Sequence, residues 1–277
     1  MSTTVSKKTA FVLVTNASYF PRAKRTILDL RSVGQWHQDL VLITVGFDLN
    51  PNFKRFYRIQ EVQFPRIDVS TLVRQIPAQG FSEGDGREVH KLTQWEKLHV
   101  FDDFFLQWSR VVFLDAGLRI LDSVEPFLAL DYKGRFLAPT DGRRDYHPPF
   151  SCQISLDFPD RVTQLVTEFG ASILEETYFL NCIWIYDTDI LHTCNKPQLI
   201  EAMNTHCLCK TNEMGIMNLL LHFKYRLWTP FPENTNTHTN THTNKILFDW
   251  HESNNPGTHW TDYCALKYSA TLSFNDC

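Results

Sequence analysis

The sequence predicts an α/β fold built on a mainly parallel central sheet, and three observations predict it. Short unbroken apolar runs (Phe11 to Val14, Leu40 to Val45, Val111 to Leu114, Ile183 to Tyr186) have the composition of strands buried on both faces. Segments with apolar residues at helical spacing separate several of these runs, which is the alternation of a doubly wound sheet. Two of the runs end just before acids, Val111 to Leu114 at Asp115 and Phe136 to Ala138 before Thr140-Asp141. In such sheets ligands bind outside the carboxyl ends of the strands.

The elements follow in order. Phe11 to Val14 runs into the polar turn Thr15-Asn16-Ala17-Ser18-Tyr19, and Pro21 marks a helix start. Ala23, Ile27, Leu30 and Val33 then recur at helical spacing until Gly34. Leu40 to Val45 is a second strand and Ile59 to Phe64 a shorter third. Arg66 to Arg87, with Pro77, Gly80, Gly84 and Gly86, reads as a loop or lid region with one short helix. Leu92, Trp95, Leu98, Phe101 and Phe105 predict an amphipathic helix from Val89 to Trp108, leading straight into the Val111 strand. In the second half, Gly142 to Pro149 is a polar loop placed to lie over the Asp141 edge. Val162 to Leu174 has helical spacing, Ile183 to Tyr186 is a strand, and Glu213 to Phe223 is a helix with Met214, Met217, Leu220 and Leu221 inward. Tyr225 to Trp228 is a short strand before Pro230. The polar run Asn234 to Asn244 is low in complexity and reads as a flexible loop, its histidines as solvated. The whole chain, 1–277, is expected to form one domain, with a nucleotide-binding half over 1–141 and an acceptor half over 142–277.

Composition removes several classes. A net charge of -4 gives no basic field for nucleic acid or anionic membrane. No apolar segment is long enough to span a bilayer. The apolar run after Lys7 and Lys8 is too short for a signal-peptide core, so it is taken as the first strand and the chain as cytoplasmic. Seven cysteines without CxxC spacing argue against a disulfide framework and a zinc ribbon, which leaves reduced thiols. No G-x-G-x-x-G follows the first strand, so a Rossmann-type dehydrogenase falls away.

A lone acid after a strand is as readily a turn cap as a site residue. Two acids in register at one sheet edge favour a site needing a carboxylate, a hydroxyl acceptor or a metal ligand.

The order TNASYF, WEKLHVF, VVFLDAG, LAPTDG, YFLNCIWIYD and NEMGIMNLLL resembles the nucleotide-sugar glycosyltransferases of the GT-A fold. The nearest group is the glycogenin and galactinol-synthase-like transferases of glycosyltransferase family 8. The resemblance spans roughly Thr9 to Trp228 and implies a GT-A-like α/β fold. It also implies transfer of a sugar, hexosyl in type, from a nucleoside diphosphate sugar (UDP-sugar favoured) to a hydroxyl of a glycan or protein acceptor. The alternative is a catalytically inactive nucleotide-sugar or glycan-binding protein that keeps the fold.

The resemblance also assigns residues. Asp115 matches the first acid of the family's Asp-x-Asp, which binds Mn²⁺ or Mg²⁺ with a C-terminal histidine. The third position here is Gly117, which weakens such a site, because a lone carboxylate holds a hard cation poorly. His259 is the preferred match for that histidine, with His251 as competitor, and Lys267 for the lysine that faces the diphosphate. Lys97 matches a nucleotide-sugar-binding lysine on the helix before the Asp-x-Asp strand. Thr15, Asn16 and Tyr19 fall where the first strand meets the nucleotide. Asp141, Asn181 and Glu213 are the catalytic candidates around the sugar. The family's amide beneath the anomeric carbon is Met214 here. Glu213 reads equally as a helix-start acid favoured by the dipole. Tyr146, Trp250 and Trp260 are candidate sugar-stacking aromatics.

Overall fold

The computed structural model describes residues 8–75, 89–120, 122–141, 148–206, 208, 212–231 and 248–249. Among these, seven strands form one sheet: β1 (Thr9–Asn16), β2 (Leu40–Val45), β3 (Ile59–Val62), β4 (Arg110–Leu114), β6 (Phe136–Ala138), β7 (Ile183–Asp187) and β8 (Trp228–Pro230). Two further short strands, β5 (Arg119–Ile120) and β9 (Phe248–Asp249), pair with each other. The order across the large sheet is β3-β2-β1-β4-β7-β6-β8.

The first four of these run parallel, with Phe11 opposite Leu40, Leu40 opposite Ile59 and Phe11 opposite Val112. Every residue of β2 is buried, and so are the first five of β1, as continuous apolar runs require. β7 then runs antiparallel to both β4 and β6. The sheet is therefore mixed, and the parallel reading of the apolar runs holds only for its first half. Buried runs look the same in either direction, so sequence cannot separate them. β8, parallel to β6, lies at the sheet margin, where Pro230 costs no ladder bond on its free side. This strand begins at Trp228, so the expected strand over Tyr225 to Trp228 is displaced towards the C-terminus.

Other expectations change in detail. The helix Phe20–Ser32 buries Ala23, Ile27 and Leu30 as its spacing predicts, whereas Val33 lies at its end and is exposed. The third strand stops at Val62. The short helix expected after Arg66 is Ser70–Gln75, while 76–88 lie outside the described residues. The helix Pro159–Phe169 ends earlier than Leu174, because Gly170 adopts φ +93 and begins a separate 3₁₀ turn. Glu213–Met217 is α-helical and continues as a π-helix over Asn218–Lys224, with the predicted inward residues buried.

The amphipathic helix expected over Val89 to Trp108 is instead two 3₁₀ stretches, Val89–Phe101 and Asp103–Gln107. Trp95 to Phe101 are buried without a break, so no solvent face exists for a regular amphipathic helix to present. The segment packs on the sheet beside β4 and β7. Phe101 stacks on Tyr186 at 5.5 Å, Phe113 stacks on Trp184 at 3.8 Å, and the Tyr186 hydroxyl donates to the Val100 carbonyl at 2.5 Å. This packing fixes the height of Lys97 above the end of β4.

Candidate active site

Because β4 and β6 both pair antiparallel to β7, their carboxyl ends meet the same sheet edge as the amino end of β7. The backbone of Asp115 donates to the Cys182 carbonyl at 2.8 Å, which sets Asn181 beside the end of β4. The 3₁₀ segment adds Lys97 from above, and the helix starting at Glu213 adds an acid from the side. Lys97 Nζ lies 2.9 Å from Asp115 Oδ1 and 3.1 Å from Glu213 Oε1. Asn181 Nδ2 donates to the same Glu213 oxygen at 2.8 Å. Four predicted residues thus form one cluster, with Lys97, Asn181 and Glu213 buried and Asp115 partly exposed.

Its electrostatics are unequal. Burial alone would depress the Lys97 ammonium, but the two carboxylates outweigh that and hold its pKa well above the ordinary lysine value. Burial pushes the Asp115 and Glu213 carboxyls up, with Lys97 opposing the shift. Two acids against one cation leave the cluster short of positive charge or of hydrogen-bond donors. Glu213 Oε2 is buried and has no hydrogen-bond partner. A buried acceptor left unpaired costs about 1–3 kcal/mol, so a donor that reaches it is stabilised by comparable free energy. Glu213 opens the helix Glu213–Met217, as the helix-start reading expects, and its side chain is 2% exposed, so it faces the cluster rather than solvent.

Asp141 sits at the same edge in a separate cluster. Past β6, Thr140 bridges Phe179 and the Asp141 N–H donates to the Tyr178 carbonyl at 3.0 Å, so Asp141 lies beside Tyr178 rather than beside Asn181. Its carboxylate accepts from the Tyr178 hydroxyl, which in turn accepts from Gln153. Burial and the Asp141 charge keep the Tyr178 hydroxyl protonated.

At the end of β1, Thr15 is buried and donates to the Asn16 carbonyl at 3.1 Å. Asn16 Oδ1 accepts from Ser18 at 2.8 Å and from the Tyr19 N–H at 3.0 Å, so its side chain builds the strand-to-helix turn. Tyr19 is 42% exposed, with the Arg22 guanidinium over its ring at 5.3 Å. Tyr146, Trp250, His251, His259, Trp260, Lys267 and the 234–244 loop lie outside the described residues.

Sequence reasoning missed three positioning groups. Tyr178 and Gln153 hold Asp141, and no motif marks them. Asn218 is fully buried. It donates to the carbonyls of Phe179 and Met214 at 3.0 Å each and accepts from the Phe179 N–H at 2.9 Å, tying the Glu213 helix to the segment before β7 that carries Asn181. An amide inside the apolar run Ile216 to Leu221 was the available signal, since a buried amide needs partners. The third is Thr26. Its hydroxyl accepts from the Gly117 N–H at 3.0 Å and donates to the Leu118 carbonyl at 2.8 Å, closing the turn after Asp115.

That turn accounts for the departure from Asp-x-Asp. Gly117 has φ +102, a backbone conformation that a side chain at this position would strain. A second acid there would be strained by the path of the chain. Asp115 Oδ1 is already engaged by an ammonium, and among the described residues no group of three or more His, Cys, Asp or Glu side chains is arranged to hold a metal. The described donor set does not fit Mn²⁺ or Mg²⁺.

No protein-family model matches the chain, and no curated protein matches it. Solved structures do. The apo structure of WbbM, a bifunctional glycosyltransferase, superposes with a TM-score of 0.53 at 13% identity, covering 84% of this chain and 40% of WbbM. The mannosyltransferase Ktr4p of S. cerevisiae gives 0.53 at 11% identity, over 82% of this chain and 69% of its own. An active-site mutant of LgtC gives 0.53 at 10% identity, over 86% and 82%. The fold is that of GT-A glycosyltransferases. The chain spans less than half the length of WbbM, and at such identities the likeness establishes the GT-A fold alone. No helix among the described residues is long and apolar enough to cross a membrane. Cys152, Cys182 and Cys194 are free thiols.

Proposed function

We propose that the chain is a glycosyltransferase that moves a sugar, hexosyl in type, from a nucleoside diphosphate donor to a hydroxyl of a glycan or protein acceptor. The observation that carries this reading is the unpartnered, buried Glu213 Oε2 beside Lys97-bridged Asp115, at the ligand-binding edge of a GT-A fold. Sugars present several hydroxyl donors, which is what an anionic cluster with a spare acceptor lacks. Glu213 and Asn181 hold the donor sugar. Lys97 keeps both carboxylates in place and offers its charge to the departing diphosphate. Asp141, held by Tyr178, accepts the proton of the attacking hydroxyl. The bond formed joins that hydroxyl oxygen to the anomeric carbon, and the bond broken joins the anomeric carbon to the diphosphate oxygen, which leaves with the electron pair. Tyr19 stacks on the base, and Thr15 borders the ribose.

The likeness to family 8 favours UDP as the base-bearing half. Ktr4p in complex with GDP and a Mn/GDP form of the core-mannan synthase CmsA, at TM-scores of 0.53 and 0.51, make GDP and Mn²⁺ the comparators. The test is calorimetric titration of the full chain with UDP and GDP, each with and without Mn²⁺, followed by donor-consumption assays. Nucleotide binding with turnover supports the proposal. Binding without turnover for any donor and acceptor replaces it with a nucleotide-sugar-binding protein, and binding of neither nucleotide overturns it. Tight Mn²⁺-dependent binding would assign the missing ligands, His259 first, to the residues beyond Asp249.

A further inference from the structure

A second concavity lies at the opposite edge of the sheet. β2 and β3 begin side by side, Leu40 opposite Ile59, and the residues just before them line a cavity of about 300 Å³ with Arg31, His37, Phe56, Tyr57 and Arg58. The six residues of β2 separate this edge from the Asp115 edge by roughly 20 Å of strand. The cavity is therefore remote from the candidate active site.

Its lining carries two arginines and a histidine, and the nearby acid, Asp39, acts on Arg31 and is itself paired with Lys8. All five donors of the Arg31 guanidinium are spent on backbone carbonyls: Trp36 at 2.7 Å, Gln38 at 2.9 Å, Tyr57 at 3.1 and 2.8 Å, and Arg58 at 3.3 Å. Arg31 thus stitches two loops to its helix and forms a charged floor that offers no free hydrogen. Burial and the nearby Arg58 charge both lower its pKa. The exposed side chains of Arg58 and His37 make no hydrogen bond or ion pair with the described residues. Phe56, at 76% exposure the most exposed large hydrophobic residue described, packs its ring edge-on to Tyr57 at 4.8 Å.

The backbone adds an independent observation. Arg58 follows the helix Pro51–Phe56 and takes φ +52 at the position that closes a helix end, with its N–H on the Arg55 carbonyl at 3.3 Å. Glycine or asparagine is the usual residue there, because a branched L side chain is strained in that conformation. Arg58 is one of four non-glycine residues with positive φ among those described, and the one that lines this cavity with its side chain exposed. Such strain concentrates at ligand sites.

We propose that this cavity binds a small phosphate-bearing ligand with an attached flat ring, its phosphate on Arg58 and His37 over the Arg31 charge and its ring against Phe56 and Tyr57. Guanidinium recognises phosphate through paired donors, and among the described residues nothing occupies those of Arg58. The exposed ring of Phe56 supplies apolar area that an inorganic ion would leave uncovered. The proposal is independent of whether the other edge transfers sugars.

The test uses the full chain and phenyl phosphate as probe, with inorganic phosphate and phenol as its two halves, by calorimetric titration. The expected result is measurable binding of phenyl phosphate, with inorganic phosphate and phenol each weaker by about tenfold or more. Arg58→Gly is expected to weaken phenyl phosphate by about tenfold or more while raising the thermal midpoint, since glycine relieves the left-handed backbone. Phe56→Ser is expected to abolish the preference for phenyl phosphate over phosphate. Absence of phenyl phosphate binding, equal binding by Arg58→Gly, or phenol binding as tightly as phenyl phosphate would each overturn the site. A lowered midpoint in Arg58→Gly would assign that residue to holding the turn instead, and would also overturn it.

Discussion

Two buried charge clusters sit on adjacent residues of one 3₁₀ segment and differ in how completely they are satisfied. On one side Glu96, 3% exposed, pairs with Arg66 and accepts from His99 at 2.8 Å, while Lys196 reaches His99 Nδ1 at 3.3 Å and pairs with Asp102 at 2.5 Å. Phe64 stacks on the His99 ring at 4.6 Å and lies under Lys196. Two acids meet two cations, Arg66 from the exposed side and Lys196 from within, and both Glu96 oxygens have partners. On the other side Lys97 is the one cation paired with Asp115 and Glu213 among the described residues, and Glu213 Oε2 has no hydrogen-bond partner among them. The first cluster locks three chain segments together. The second is incomplete within the described residues, and incompleteness in a rigid frame is what a ligand can exploit. The comparison teaches that buried charge by itself marks no site, and that an unmatched carboxylate oxygen at the strand-end edge is what separates the second cluster from the first.

Four substitutions test that contrast, in decreasing order of their expected effect on stability. Lys97→Met leaves two buried carboxylates without a cation and is expected to cost about 3–5 kcal/mol in denaturant unfolding. It is also expected to reduce donor turnover by about a thousandfold. A near-native unfolding midpoint would mean that the acids are paired elsewhere. Glu96→Ala breaks the satisfied cluster and is expected to cost about 2–3 kcal/mol, yet to leave the nucleotide affinity of the folded protein unchanged. Loss of affinity without loss of stability would reverse the roles of the two clusters.

Gly117→Asp restores the family's second acid in a backbone that resists it. Unfolding should show a loss of about 1–2 kcal/mol, and calorimetry should show no gain of Mn²⁺ binding. A tight Mn²⁺ site in this variant would refute the account of the turn.

Glu213→Gln is the smallest for stability and sharpens the comparison most. The amide keeps the shape and the acceptor that Asn181 uses, and Lys97 retains Asp115. Burial raises the folded-state pKa of Glu213 above its ordinary 4.5, so the folded protein binds this proton more tightly than the unfolded chain does. The sign follows: the group favours folding below about pH 4.5, and that contribution is lost as pH rises through the folded pKa. The variant is therefore expected to match or exceed wild-type stability at neutral pH, with an advantage that shrinks on acidification. Turnover should fall by about a hundredfold. Unfolding curves across pH 4 to 8, on the order of the carboxyl and histidine range, read the first, and a variant less stable than wild type at pH 7 would contradict it.

Much of this was legible in the residues. Apolar runs located β1, β2, β4 and β7 because strands buried on both faces have no alternative composition. The acids after β4 and β6 announced the working edge, and the motif order carried the GT-A reading. Lys97, Asp115, Asn181 and Glu213 were each named as candidates from that order. Their meeting in one cluster was not visible, because Lys97 and Glu213 are 116 residues apart in number and come together only through the antiparallel course of β7 and the buried 3₁₀ segment. The helix expected over Val89 to Trp108 shows the reverse case. Apolar spacing there matched a helix, but burial on all sides by the sheet overrode the local period.

The sequence by itself determined the class of fold, the edge that carries the acids and the residue types gathered there, because burial periodicity and strand-end chemistry are local properties. Tertiary structure alone decided strand direction in the second half, which acids share a lysine, that Gly117 is imposed by a left-handed turn held by Thr26, and that Arg58 stands strained over a separate cavity. Those depend on which distant segments pack together, and hydrogen-bond satisfaction in a buried interior is set by neighbours that no local pattern encodes.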